Sequence, residues 1–166
     1  DPDNTFLWRM NPRRLESQSV RDALLALGGK LDLTLGGPSL DPDKAESLPR
    51  RSLYFIQTPD TEHRFLGAFD NANVLECYRR NESVVPQQAL ALTNSQLSRT
   101  TAEALAKKFR TDAPAEFIRR AFQSILNRAP TDKEQQVSLE AFTAMKNNRP
   151  LFLQALLNHN DFVTLR

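Results

Sequence analysis

The chain has little of what small active sites and covalent staples are made from. It holds one cysteine, Cys77, and two histidines, His63 and His159. A lone thiol makes neither an internal disulfide nor a multi-thiolate metal centre. Neither histidine has a second one three or four residues away, the spacing that sets two imidazoles on one helical face, so each reads as a surface or capping residue. With five glycines in 166 residues there is no phosphate-cradling loop and no dinucleotide fingerprint, and Gly28-Gly29 and Gly36-Gly37 read as turns. No run approaches the roughly 18 apolar residues of a membrane-spanning helix. Nor is there an excess of charge. Lys and Arg number 22 against 20 Asp and Glu, and no third of the chain departs from neutrality by more than two charges. Basic doublets such as Arg13-Arg14, Arg119-Arg120 and Lys107-Lys108 are scattered, whereas a nucleic-acid footprint gathers them on one face. A disordered tail, a collagen-like fibre, a membrane-spanning protein and a nucleic-acid binder are all disfavoured.

What is present reads as helix. Ten prolines and few glycines suit a chain with firm element starts. Asn11 and Pro12 predict a helix over 12–27, with Val20, Leu24 and Leu27 on its inner face and Gly28-Gly29 ending it. Phe6, Leu7 and Trp8 are expected to pack beside that helix. Residues 30–35 alternate in polarity, and 51–56 are rich in aromatic and branched side chains, which predicts a short strand pair. A short helix over 62–69, a polar turn at 70–73 and a long helix from Pro86 to about Phe109 follow. Phe117, Ile118, Ala121, Phe122, Ile125 and Leu126 form a broad apolar stripe after Pro114. Thr131-Asp132-Lys133-Glu134 is a capping box, and Pro150 opens a last helix. The three C-terminal helices, joined by short connections, are expected to be antiparallel neighbours. The fold class is mainly α: a bundle of five to six helices with a minor β-hairpin or single strand pair near 30–56. We read residues 1–166 as one helical domain, divisible into 1–110 and a three-helix unit at 111–166. The start at Asp1-Pro2-Asp3-Asn4, without initiator Met or signal peptide, reads as a piece of a longer protein whose targeting signals lie elsewhere.

Candidate chemistry concentrates in one stretch. Asp70, Arg79, Arg80 and Ser83 set a carboxylate, two guanidiniums and a hydroxyl within fourteen residues, able to hold an anionic or sugar ligand through bidentate hydrogen bonds or to pin the turn before the long helix. Cys77, in the same stretch, reads as a small apolar residue rather than a nucleophile. There is no nucleophile elbow and no Ser-x-x-Lys motif, so no catalytic residue is assigned and an enzymatic role is left open.

These residues also carry a resemblance. Leu7-Trp8-Arg9, Arg13-Arg14-Leu15-Glu16, Val20-Arg21-Asp22-Ala23-Leu24-Leu25-Ala26, Gly29-Lys30-Leu31-Asp32, Gly36-Gly37-Pro38, Arg50-Arg51-Ser52-Leu53-Tyr54, Phe69-Asp70, Cys77-Tyr78-Arg79-Arg80, Ser83-Val84-Val85-Pro86-Gln87-Gln88-Ala89-Leu90, Asn94-Ser95, Leu126-Asn127-Arg128-Ala129-Pro130-Thr131 with Glu134, and Leu156-Leu157-Asn158 with Asn160-Asp161-Phe162 run in order along nearly the whole chain. In these words it resembles the C-terminal part of a planctomycete domain of unknown function, found in large exported proteins with an N-terminal cytochrome c-like domain. The resemblance implies an exported or periplasmic protein, often associated with polysaccharide-degrading functions. It also implies a haem c carried by another domain on a Cys-x-x-Cys-His motif that this segment lacks, so no cofactor is assigned here. The family words single out Arg50, Arg51, Asp70, Arg79, Arg80, Ser83 and Gln87 as candidate ligand-binding residues. The leading expectation is a helical accessory or interaction module whose partners are other domains of the same full-length chain, a protein or a carbohydrate. The competing one is part of a carbohydrate-processing or redox enzyme whose site is completed by residues upstream.

Overall fold

The computed structural model describes residues 1, 3–41, 47–58, 64–69 and 86–165. His63, Cys77 and the turn expected at 70–73 lie outside the described residues. The described part is mainly helical. In chain order it contains strand β1 (Arg13–Arg14), helix α1 (Ser17–Leu27), a 3-10 turn (Ser52–Tyr54) and helices α2 (Arg64–Ala68), α3 (Pro86–Asn94) and α4 (Gln96–Lys108). Helices α5 (Pro114–Leu126), α6 (Asp132–Ala144) and α7 (Arg149–Leu157), a second 3-10 turn (Asn160–Phe162) and strand β2 (Thr164–Leu165) complete it.

Local chemistry explains most of the boundaries. Gly29, at φ 67°, closes α1 with the paired bonds of a Schellman ending, Gly29 N–H to Ala26 O and Lys30 N–H to Leu25 O. The Thr131/Glu134 capping box forms as expected at the start of α6, and Asn148 Oδ1 accepts from the Leu151 N–H at the start of α7. The helix expected over 86–109 is two helices. Ser95 interrupts it because its hydroxyl accepts from the N–H groups of Leu97 and Ser98, capping a new start.

Three other expectations are corrected. The first helix begins at Ser17 rather than residue 12, because Arg13–Arg14 are drawn out into an antiparallel pair with Thr164–Leu165, extended by Leu15 N–H to Val163 O. The regular strand pair therefore joins residues near the two ends of the chain. Among the described residues between 30 and 56 the pairing consists of two isolated parallel bridges, Asp32 with Arg50 and Leu40 with Phe55, because residues 52–54 coil into a 3-10 turn. Phe6, Leu7 and Trp8 do not pack on α1; all three are exposed.

The core is one continuous cluster. Its densest part is aromatic. Phe117 of α5 lies 5.0 Å from Phe142 of α6, 5.7 Å from Phe152 of α7 and 6.5 Å from Phe109 at the end of α4, centroid to centroid. Arg149 locks this junction. Its guanidinium stacks 4.6 Å over Phe117 and donates to the carbonyls of Phe109 and Asp112, tying down the turn after α4 in which Phe109 O also accepts the Asp112 N–H. Helix α7 lies chiefly along α4 and also on α5, while α6 packs on α5. The C-terminal helices therefore meet chiefly through α5, with α6 and α7 touching where Phe142 and Phe152 lie 5.6 Å apart, centroid to centroid.

Candidate functional site

Of the residues singled out by sequence, Asp70, Arg79, Arg80 and Ser83 lie outside the described residues, and Gln87 falls in the first turn of α3. Arg50 and Arg51 are seen, and both serve the fold. Arg50 lies flat over the Tyr54 ring at 4.0 Å and donates to the carbonyls of Thr34 and Gly36. The Tyr54 hydroxyl accepts the Gly36 N–H at 2.9 Å, so ring and guanidinium together hold the glycine turn. Arg51 sits 3.6 Å from the carboxylate of Asp22 on α1, which also accepts from the Ser52 N–H and hydroxyl. Beneath them Arg21, only 1% exposed, donates to Leu48 O, Arg50 O and Ser52 Oγ and packs 4.8 Å over Phe55. The 48–55 segment is thus clasped to α1 by arginine forks, whose planar donors match carbonyl acceptors well.

A second feature has the shape of a binding site. Residues of α5, α6 and α7 line an open groove of about 670 Å³. Phe122, Phe152 and Leu156 are buried in its floor, and Val137, Ala141 and Met145 form the α6 wall. At one end Arg128 bridges two carboxylates. It donates to both oxygens of Glu134 at 2.7 and 2.8 Å and twice to Asp161 Oδ2 at 2.8 and 3.0 Å. The same Glu134 closes the capping box, accepting from the Thr131 N–H and hydroxyl. His159 caps the 3-10 turn, its Nδ1 accepting the Asp161 N–H at 3.1 Å. One guanidinium therefore fixes the end of α5, the start of α6 and the turn after α7.

The electrostatics follow from these contacts. Hydrogen bonds from Arg128, then from the Thr131 backbone, hold the Glu134 carboxyl down to about 2. Bonds to Glu134 and then Asp161 push Arg128 upward, keeping it charged throughout. A carboxyl shifted down stays ionised at neutral pH, the opposite of what a general acid needs. Among the described residues no group of three or more His, Cys, Asp or Glu side chains is arranged to hold a metal. The groove is built to bury apolar surface beside a fixed ionic clamp. Sequence reading found its parts separately, as a capping box, as an apolar stripe and as family words around Arg128 and Asp161. What it missed was their union, because Arg128 and Asp161 are 33 residues apart and no local pattern pairs them.

Fold and site together define a mainly helical module with an apolar groove clamped by an arginine. The chain belongs to the PSD1 family, protein of unknown function (DUF1553), which it matches over residues 1–142. No curated protein and no solved structure matches it.

Proposed function

We propose that this chain is a helical accessory and interaction module of an exported, cytochrome-linked planctomycete protein, and that it acts by docking an apolar protein segment in the α6–α7 groove. The observation that carries the reading is the groove itself. Its volume lies in the range typical of ligand sites, its walls are apolar, and its mouth is held by Arg128 before anything binds. Preorganisation of this kind lowers the entropy lost on binding. The exported setting and a haem c on another domain of the full-length chain rest on the family resemblance. An apolar floor favours a protein segment over a carbohydrate, whose hydroxyls would go unpaired there.

The test uses the uncharged apolar dye Nile red as a probe. Val137, more than half exposed on the groove wall, can be replaced without disturbing the core. Val137→Arg removes apolar contact worth ~1.5 kcal/mol and sets a charge in the groove, so dye binding weakens by about tenfold with an unchanged melting temperature. Undiminished dye binding by the variant overturns the reading.

A further inference from the structure

Asp1 and residues 3–11 close on themselves and present Phe6, Leu7, Trp8 and Met10 outward. The Asp1 carboxylate accepts from the N–H groups of Thr5 and Phe6, and the Trp8 indole N–H donates to the Asp1 carbonyl. Asn4, 3% exposed, donates from Nδ2 to Arg9 O and to Asn11 Oδ1, and accepts from the Arg9 N–H. This bracing holds Leu7 at φ 51°, a left-handed conformation that leucine rarely adopts. The result is a preformed loop on which Phe6, Leu7, Trp8 and Met10 are 84, 78, 66 and 60% exposed. A structure that holds a strained backbone in order to expose two aromatics and a leucine points to a partner for them.

We propose that the 4–10 loop of one copy of this chain seats in the α6–α7 groove of a second copy, and reciprocally, to close a two-fold dimer. The inference rests on the docking reading and names its occupant. Four observations favour a second copy. The loop exposes roughly 500 Å² of apolar surface. Two such loops, with the groove surface each covers, reach on the order of the 1,600 Å² buried by a stable protein interface. Asp3 adjoins the loop and Lys133 lines the groove, both exposed and neither with an ion-pair partner among the described residues. Finally, loop and groove are neighbours on one molecule. Met10 and Pro12, at the base of the loop, line a hollow with Asn160 and Thr164, while His159 and Asp161 line the groove, so the two features flank the same 3-10 turn. Adjacent donor and acceptor surfaces suit a closed exchange between two copies rather than an open chain of copies.

Trp8 is the one tryptophan in the sequence, so its emission reports the proposed contact directly. In a concentration series the chain is expected to sediment as a dimer at high concentration, with Trp8 emission moving to the blue as dimer forms. Val137→Arg and Trp8→Asp each return a monomer with an unchanged circular-dichroism melt, and mixing the two variants restores association through the one intact loop–groove pair. A chain that stays monomeric throughout, or a dimer that Val137→Arg leaves intact, overturns the inference. So does a monomer whose Trp8 emission shifts only on phosphatidylcholine–phosphatidylglycerol vesicles, which makes the loop a membrane contact. If the chain is monomeric while Val137→Arg still blocks the dye, the groove reading stands and only the second-copy occupant falls.

Discussion

Arg21→Met removes the guanidinium that joins α1 to the 48–52 segment while keeping an unbranched side chain of similar reach. Three hydrogen bonds go with it, at 2.9 Å to Arg50 O, 3.1 Å to Ser52 Oγ and 2.6 Å to Leu48 O. Each bond from a charged donor contributes about 1.5–3 kcal/mol, and carbonyls left without a donor cost a comparable amount where water does not reach them. Against this stands the release of a buried charge. Burial lowers the Arg21 pKa, an effect partly opposed by neighbouring Asp22, so the native state already bears a desolvation penalty that methionine relieves. The thioether also keeps contact with the Phe55 ring, on which the guanidinium now lies at 4.8 Å. The balance is a loss of about 2–4 kcal/mol, which for a chain of this length lowers the melting temperature by roughly 5–15 °C. Urea unfolding followed by far-ultraviolet circular dichroism measures it, since Trp8 lies on an exposed loop and reports poorly on the core. Arg21→Lys keeps the charge without the fork and is expected to lose at least as much. Hydrogen exchange adds a local readout, because the Ser52 amide, held by Asp22 at 2.8 Å, should lose protection in both variants. A change within 0.5 kcal/mol for Arg21→Met would refute the view that this arginine fastens the segment to α1.

Three further substitutions test other parts of the fold. Phe117→Ala empties the centre of the aromatic cluster and leaves Arg149 without its stacking partner, so a loss of about 3–5 kcal/mol is expected in urea unfolding. Ser95→Ala deletes the hydroxyl that separates α3 from α4 and should cost about 1 kcal/mol, measured by chemical unfolding. Glu134→Gln reports on the clamp through pH. The Glu134 carboxyl is held down to about 2 from an ordinary value near 4.5, so its stabilising contribution is complete above about pH 4.5 and lost as pH falls toward 2. The variant should therefore melt lower than the parent at pH 7, with the difference shrinking across that window; a difference that persists at pH 2 would contradict the pairing.

Legibility in the sequence followed the range of the interactions. The α6 capping box is complete within four residues, the Gly28-Gly29 ending within six, and the α5 stripe within its own thirteen, and each is legible in the local sequence. Where a distant partner decides the outcome, local pattern misled. Pro12 and Leu15 look like the opening of a helix, yet backbone pairing with Val163 and Thr164 draws that stretch out. The apolar run Phe6-Leu7-Trp8 looks like core, yet side-chain bonds from Asp1 and Asn4 turn it outward. The groove was half legible for the same reason. Thr131 and Glu134 announce themselves, whereas Asp161 joins Arg128 only once α7 has folded back along α4. Arg50, a candidate ligand-binding residue by sequence, shows how a fork suited to a ligand is equally suited to a turn's carbonyls, while Arg51 faces the Asp22 carboxylate.

The pairing of β1 with β2 has a kinetic side. Roughly 150 residues separate the strands, and closing a loop of that length costs on the order of 4 kcal/mol in chain entropy before the first bond between them can form. Two residues per strand do not repay that alone, so the ladder has to wait until the helices have drawn the chain together. On a ribosome, Arg13, Arg14 and Leu15 stay without their backbone partners until Val163, Thr164 and Leu165 have been made about 150 residues later. Deleting Thr164 and Leu165 should accordingly speed unfolding while leaving the folding rate nearly unchanged.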